Sequence, residues 1–263
     1  MVLGIDTSTI LGGVALVREG RLLAELRCDA RAATSERILP QIDRLMADLG
    51  AGGGALARLG VALGPGSFTG VRVGLATAKG LALGWGLPLA GVSAFEARIL
   101  ALGAGGQPVL LAEAPRRGEV FASAGWHGPE GYRALLHAAA LPLAGAAAWV
   151  GEALRRAAEL GRLPLLCAGD GVPALLAALD EARAGRSPAE LLALPGAVVG
   201  AAPGAVAMLA ERMPAEALAS GASLDALQPL YLRGGEARRP AERPRPGGAC
   251  GPGPARPLDG EKA

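Results

Sequence analysis

Leu3-Gly4-Ile5-Asp6-Thr7-Ser8-Thr9, returning through Gly13-Val14-Ala15-Leu16, is an apolar strand that ends in a carboxylate and a run of hydroxyls before the chain doubles back. Asp6 has two readings here. It either terminates the strand and caps its own turn, as acids near a reversal do, or offers its charge beside the Thr7 hydroxyl to something bound. Outward from this hairpin, residues 13–18 form a second apolar run, Glu19-Gly20 can turn, and 21–26 alternate, so three consecutive strands are expected. Ser35 and Glu36 open a helix over 35–49, with Ile38, Ile42, Leu45, Met46 and Leu49 along one face and Pro40 tolerated near its first turn. A glycine loop at 50–54 precedes a buried strand at 59–63, a loop at 64–70, a helix at 71–83 and a strand at 87–92. Ser93 then caps a helix through 102, with Glu96 at its capping-box position.

The second half repeats strands and helices less clearly. Strands are expected at 109–112 and 119–124 around a tight connection at 115–118, then a helix at 147–160 and a strand at 163–168. Helices at 174–183 and 204–212 follow, with a last strand at 228–233. From Gly234 on, Pro and Gly supply 13 of 30 residues amid mixed charge, a composition that cannot offset its own ordering entropy, so a disordered tail is expected. The expected division is 1–105, 106–233 and the tail 234–263.

Composition removes several functions. The 263 residues are 51% hydrophobic and 19% charged, which predicts a folded chain with a sizeable core. Cys28, Cys167 and Cys250 are too few and too far apart for a disulfide framework or a closely spaced thiolate metal site, and a reducing, cytoplasmic setting fits. The first residues carry no basic segment ahead of an apolar stretch, so no signal peptide is expected. The net charge of +2 comes from the tail, whose six basic residues exceed its four acidic ones. With eight aromatic residues in all, the chain lacks the stacking platforms that single-stranded nucleic acid uses, and direct RNA binding is disfavoured. Residues 191–210 are uncharged over a bilayer's length, but Pro195 and Pro203 interrupt them and no aromatic or basic belt flanks them, so no membrane span is expected. His127 and His137 are spaced wrongly for a helical zinc pair, and no metal site is visible. Ser67 lies in GPGSFTG rather than in a nucleophile elbow, and Lys79 lies outside any phosphate-binding GxxxxGK[ST] pattern.

The stretch GPGSFTGVRVGLATAKG, residues 64–80, is richer. A glycine loop feeding a helix N-terminus exposes amides that can hold an anion, with Gly64, Gly66, Ser67 and Arg72 joining Asp6 and Thr7 as candidates; it can equally be a structural turn. Within the helix, Gly70, Gly74, Ala78 and Ala82 recur every four residues, leaving a face almost without side chains against which another backbone can lie. That face either packs on the protein's own sheet or takes a partner. The partner reading predicts that Gly74→Leu or Ala78→Glu leaves a folded monomer that no longer pairs.

These residues resemble the TsaB/YeaZ family, formerly described as glycoprotease-like: the dimerization subunits of the bacterial complex that makes threonylcarbamoyladenosine in tRNA. The resemblance rests on LGIDTS at 3–8, SERILP at 35–40, GPGSFTGVRVGLATAKGLA at 64–82 and GVSAFEA at 91–97, with RGEVFA at 117–122 and PLYLR at 229–233 as weaker landmarks. It implies an α/β, actin-like ATPase fold of the sugar kinase, Hsp70 and actin superfamily, two related lobes of mixed sheet with flanking helices. In that superfamily the comparable first hairpin holds a nucleotide's phosphates; the family lacks the metal and nucleotide machinery of its catalytic paralogue. It further implies a non-catalytic subunit with no cofactor of its own, apart from a nucleotide allowed at a subunit interface. The implied partners are the catalytic threonylcarbamoyl transferase paralogue, an accessory ATPase and a second copy of the chain, with tRNA reached only through the complex. Pairing would run through 35–49 and 71–83, using Ile38, Ile42, Leu45, Met46, Leu49, Val71, Gly74, Leu75, Ala78 and Ala82. Thr34 and Ala114 depart from the residues many relatives carry there. Rival readings are an ATP-hydrolysing member of the superfamily using Asp6 and Thr7, and a peptidase.

Overall fold

The computed structural model describes residues 1–29, 34–103, 105–116, 118–182, 190–194 and 200–232. The tail 234–263, Arg183, Arg233 and residues 195–199 of the uncharged stretch lie outside the described residues. The first half runs β1 (Val2–Asp6), β2 (Leu11–Arg18), β3 (Arg21–Asp29), α1 (Thr34–Asp48), β4 (Arg58–Ala62), α2 (Phe68–Trp85), β5 (Leu89–Val92) and α3 (Ala94–Ala101). The second runs β6 (Val109–Arg116), β7 (Glu119–Gly128), β8 (Gly131–Pro142), α4 (Ala146–Glu159), β9 (Leu165–Ala168), α5 (Val172–Ala182), β10 (Leu191–Ala193) and α6 (Pro203–Arg212). The same strand and helix order thus occurs twice.

Sheet topology repeats as well. The first sheet is ordered β3-β2-β1-β4-β5 and the second β8-β7-β6-β9-β10. In each, the first three strands pair antiparallel and the last two run parallel to the first. The parallel pairs need helical crossovers, which cover one face of each sheet.

The opposite faces are covered by an exchange. α6, from the second half, packs on β1, β2 and β4 of the first sheet, while α3, from the first half, packs on β6 and β7 of the second. The division expected at residue 105 therefore describes the two sheets but not their covering helices. Glycines make the first of these contacts close: a Cβ at Gly4 would strike the Pro203 carbonyl oxygen, and one at Gly60 would lie 2.7 Å from the Ala210 Cβ.

Several local expectations change. α2 begins at Phe68 rather than residue 71, because the Ser67 hydroxyl accepts from the Gly70 amide at 3.2 Å and caps it there. Pro40 lies inside α1 rather than in its first turn. The twelve-residue β8 was not expected from the sequence; its buried and exposed positions do not alternate cleanly, and register shifts interrupt its pairing with β7. Residues 228–232 form no strand, although Leu230 N–H donates to the Leu63 carbonyl at 2.7 Å. Among the described residues, no helix is long and apolar enough to cross a membrane.

The largest correction concerns the small-residue face of α2. Gly70, Gly74, Ala78 and Ala82 are all buried, and they pack on the chain's own first sheet. A Cβ at Gly70 would run into the Thr7 carbonyl oxygen and one at Gly74 into the Thr7 hydroxyl. Val71 and Leu75 on α2, and Ile38, Ile42, Leu45 and Met46 on α1, are buried with them; of the ten expected pairing residues only Leu49 stays exposed. The amphipathic stripe marks the face that seals the core, since burying apolar surface is worth about 25 cal/mol per Å² whichever surface covers it. Gly74→Leu and Ala78→Glu thus strike the core and are expected to destabilise the fold itself rather than pairing alone.

Candidate functional site

The ends of β1 and β6 and the starts of α2, α3 and α6 converge on Asp6. Its carboxylate is fully buried and accepts three hydrogen bonds. Oδ1 accepts from the Ser8 amide at 2.9 Å and the Ser8 hydroxyl at 2.5 Å, and Oδ2 accepts from the Ala202 amide, at the start of α6, at 2.8 Å. A carboxylate at a helix N-terminus satisfies an orphan amide and meets the positive end of the dipole. Thr7 is equally engaged, its hydroxyl donating to the Gly70 carbonyl at 2.7 Å.

The glycine loop closes over this hairpin. Ser67 N–H donates to the Ser8 carbonyl at 2.7 Å, and Gly66 is so close to Ser8 that a Cβ would overlap its carbonyl oxygen. Gly64 takes a left-handed φ of 96° that favours glycine, and its carbonyl accepts from the Ala94 amide at 2.8 Å. Asp6, Thr7, Gly64, Gly66 and Ser67 are therefore brought together. Arg72 is not with them. Its guanidinium stacks 3.7 Å over the Phe68 ring, and its Nε donates to the Tyr231 hydroxyl at 2.7 Å, pinning the C-terminal segment to α2. The cation that the sequence offered to an anion thus serves an exposed aromatic cluster.

The cation beside Asp6 is Arg98, which sequence reasoning missed. It is fully buried on α3; Nη2 donates to the Ser8 hydroxyl at 2.7 Å and lies 3.4 Å from the Pro65 carbonyl, while Nη1 pairs with Glu113 of β6. Burial pulls the guanidinium's pKa down, against the opposing fields of Asp6 and Asp170. A signal was present in the sequence: Arg98 falls between Phe95, Ile99 and Leu102 on an otherwise apolar helical face. Among the described residues no group of three or more His, Cys, Asp or Glu is placed to hold a metal ion. The Asp6 carboxylate, the Thr7 hydroxyl and the Ser8 amide and hydroxyl each have a hydrogen-bond partner within the chain.

Two copies of one strand-and-helix unit, exchanging their last helices over a shared polar joint, define an actin-like ATPase fold. Two Pseudomonas aeruginosa structures share it: one described as an uncharacterized protein with similarity to peptidase YEAZ (TM-score 0.67, 24% identity), the other as YeaZ (TM-score 0.65, 23% identity). Each comparison covers 88% of this chain and 99% of the other. Residues 29–140 match the TsaD family, tRNA N6-adenosine threonylcarbamoyltransferase. The Escherichia coli K12 tRNA threonylcarbamoyladenosine biosynthesis protein TsaB is 36% identical over 194 residues, spanning 68% of this chain and 83% of that protein. The Bacillus subtilis TsaB is 39% identical over 95 residues, 36% of this chain and 42% of its own length. The chain belongs to the TsaB family.

Proposed function

We propose that this chain is a non-catalytic subunit of the assembly that places threonylcarbamoyl on tRNA adenosine, supporting a TsaD-like transferase and an accessory ATPase and taking no cofactor of its own. The name of the Escherichia coli relative supplies the pathway. The observation that carries the non-catalytic reading is the internal use of Asp6, Thr7 and Ser8, whose carboxylate and hydroxyls hold the first hairpin to α2, α3 and α6 rather than standing open to a substrate. Ser67, the nucleophile a peptidase would need, has its hydroxyl spent on capping α2.

Pairing with the transferase, or with a second copy, uses the outward faces of α1 and α2 in this reading. Those faces expose Leu39 on α1, Leu49 just past its end, and Phe68, Leu83 and Trp85 on α2. Ala76 and Gly80 lie exposed between the last three, and a Cβ at Gly80 would meet nothing within 4 Å. Large apolar side chains around a flat centre suit a helix-to-helix interface.

Reconstitution tests the function: tRNA modification is assayed with this chain, the transferase and the ATPase, omitting each in turn. Modification is expected only with all three, and full activity without this chain would reject the reading. The surface is tested by Ala76→Glu with Gly80→Glu. The variant is expected to melt within a few degrees of the parent yet to elute as a lone chain in light scattering; association at the parental strength would exclude this face.

A further inference from the structure

α3 is tied to both sheets by apolar packing, Ala94 and Ala97 lying with Val2, Ala62, Ala90 and Val92 of the first sheet, and by one buried cation. Toward the second sheet it is held by apolar contact, Phe95 and Ile99 packing with Val109, Leu111, Phe121 and Ala168. Toward the first sheet the polar link is Arg98, reaching the Ser8 hydroxyl beyond the end of β1 and the Pro65 carbonyl before α2, while pairing with Glu113 on β6. One guanidinium thus touches the first hairpin, the glycine loop and the second sheet. Its Nε and Nη1 have no hydrogen-bond partner among the described residues, so beyond the Nη2 bonds the group is held by its charge beside Glu113.

We propose that Arg98 is a built-in cation that locks the joint between the two sheets, filling the space beside Asp6 and Glu113 and making the chain a rigid body rather than a hinged clamp. The charge arrangement supports this. Asp6 is fully buried and the Glu113 side chain is 15% exposed, so neither carboxylate can exchange its protein partner for bulk water without the joint opening. A partial separation of the sheets, short of admitting water, would part Arg98 from Glu113, and unpaired interior charge is strongly disfavoured. Asp6 fastens the other crossing helix through Ala202, so both exchanged helices meet at one polar knot. The inference stands independently of the proposed partners.

Amide hydrogen exchange on the full chain tests it, comparing the parent with Arg98→Leu/Glu113→Leu, which removes both charges and keeps the space filled. The reporting amides are Ser67, Ala114 and Ala202, whose acceptors are Ser8, Asp170 and Asp6 around the joint. Exchange at these three is expected to rise at least tenfold while Leu3 and Leu110, at the centres of the sheets, keep their parental rates. Parental rates at the joint, or an equal rise at joint and sheet centres, would overturn the lock. Should the double variant not fold, Arg98→Lys decides on the same criterion, because one ammonium facing Glu113 cannot also span to Ser8.

Discussion

The two repeats share a topology but seal their interiors differently. In the first, backbone meets backbone: Gly4 and Gly60 admit α6, and Gly66, Gly70 and Gly74 admit the end of the first hairpin, each where a Cβ would clash. In the second, Gly169 and Gly171 let the loop before α5 approach the β6 backbone in the same way, but the crossover helices themselves pack through ordinary side chains, Val150, Ala153 and Ala157 on α4 and Leu175 and Leu179 on α5. Glycine contacts of the first kind tolerate one residue type, whereas an apolar face accepts many sequences of similar volume. Residues 64–82 accordingly read as a motif, and the second half reads only as pattern.

A matched pair of substitutions breaks this comparison most sharply. Gly74→Leu drives a side chain into Thr7 and is expected to cost about 3 kcal/mol or more, a large fraction of the stability of an ordinary domain. Gly151→Ala, inside α4 with open space where its Cβ would go, is expected to gain up to about 1 kcal/mol from helix propensity. Chemical denaturation of both variants checks the contrast. Equal and small effects would mean that the first repeat is no more tightly specified than the second.

Two carboxylates, Asp6 at the end of β1 and Asp170 just after β9, give the next contrast. Asp6→Asn weakens the charge-assisted bonds from the Ser8 and Ala202 amides and removes a buried negative charge whose field acts on Arg98, and losing hydrogen bonds to a buried charge costs about 1.5–3 kcal/mol. Asp170→Asn, exposed and accepting from the Ala114 amide, is expected to cost about 1 kcal/mol or less. A larger denaturant midpoint shift for Asp6→Asn is the expected result.

What the sequence made legible follows the same division. Strand, turn and helix signals in residues 1–102 mostly lie within a few positions of the observed elements, since caps such as Ser93, whose hydroxyl accepts from the Glu96 amide, act locally. β8 escaped because its pattern depends on partners in β7 and α4 rather than on its own alternation. In the site, the Asp6 hairpin and the glycine loop were found, but the direction of the α2 stripe was not. Periodicity reports that a face is flat, and only the neighbouring atoms of Thr7 say what lies on it. Arg98 was missed because its partners Ser8 and Glu113 are far from it in sequence or on another sheet.

The smallest contrast is one of acid sensitivity, between His127 at the end of β7 and Glu96 on α3, whose backbone carbonyl lies 3.2 Å from the imidazole Nε2. Burial lowers the His127 pKa below its usual 6.5, and Arg212 adds to this while the Glu96 carbonyl opposes it. Between the folded value and 6.5 the unfolded chain binds the proton more readily. The contribution of His127 is thus fully present above pH 6.5 and is lost as pH falls through the folded value. Glu96 has the opposite sign: burial raises its pKa above 4.5, so its contribution is present below 4.5 and is lost as pH rises through the folded value. Both groups keep some contact with solvent, so each effect should be under about 1 kcal/mol. Urea titrations from pH 7.5 down to 5 are expected to show a shallow loss of stability that starts near pH 6.5 and that His127→Gln flattens. A variant with the parental slope would assign that loss to other groups and leave the α3–β7 contact electrically silent.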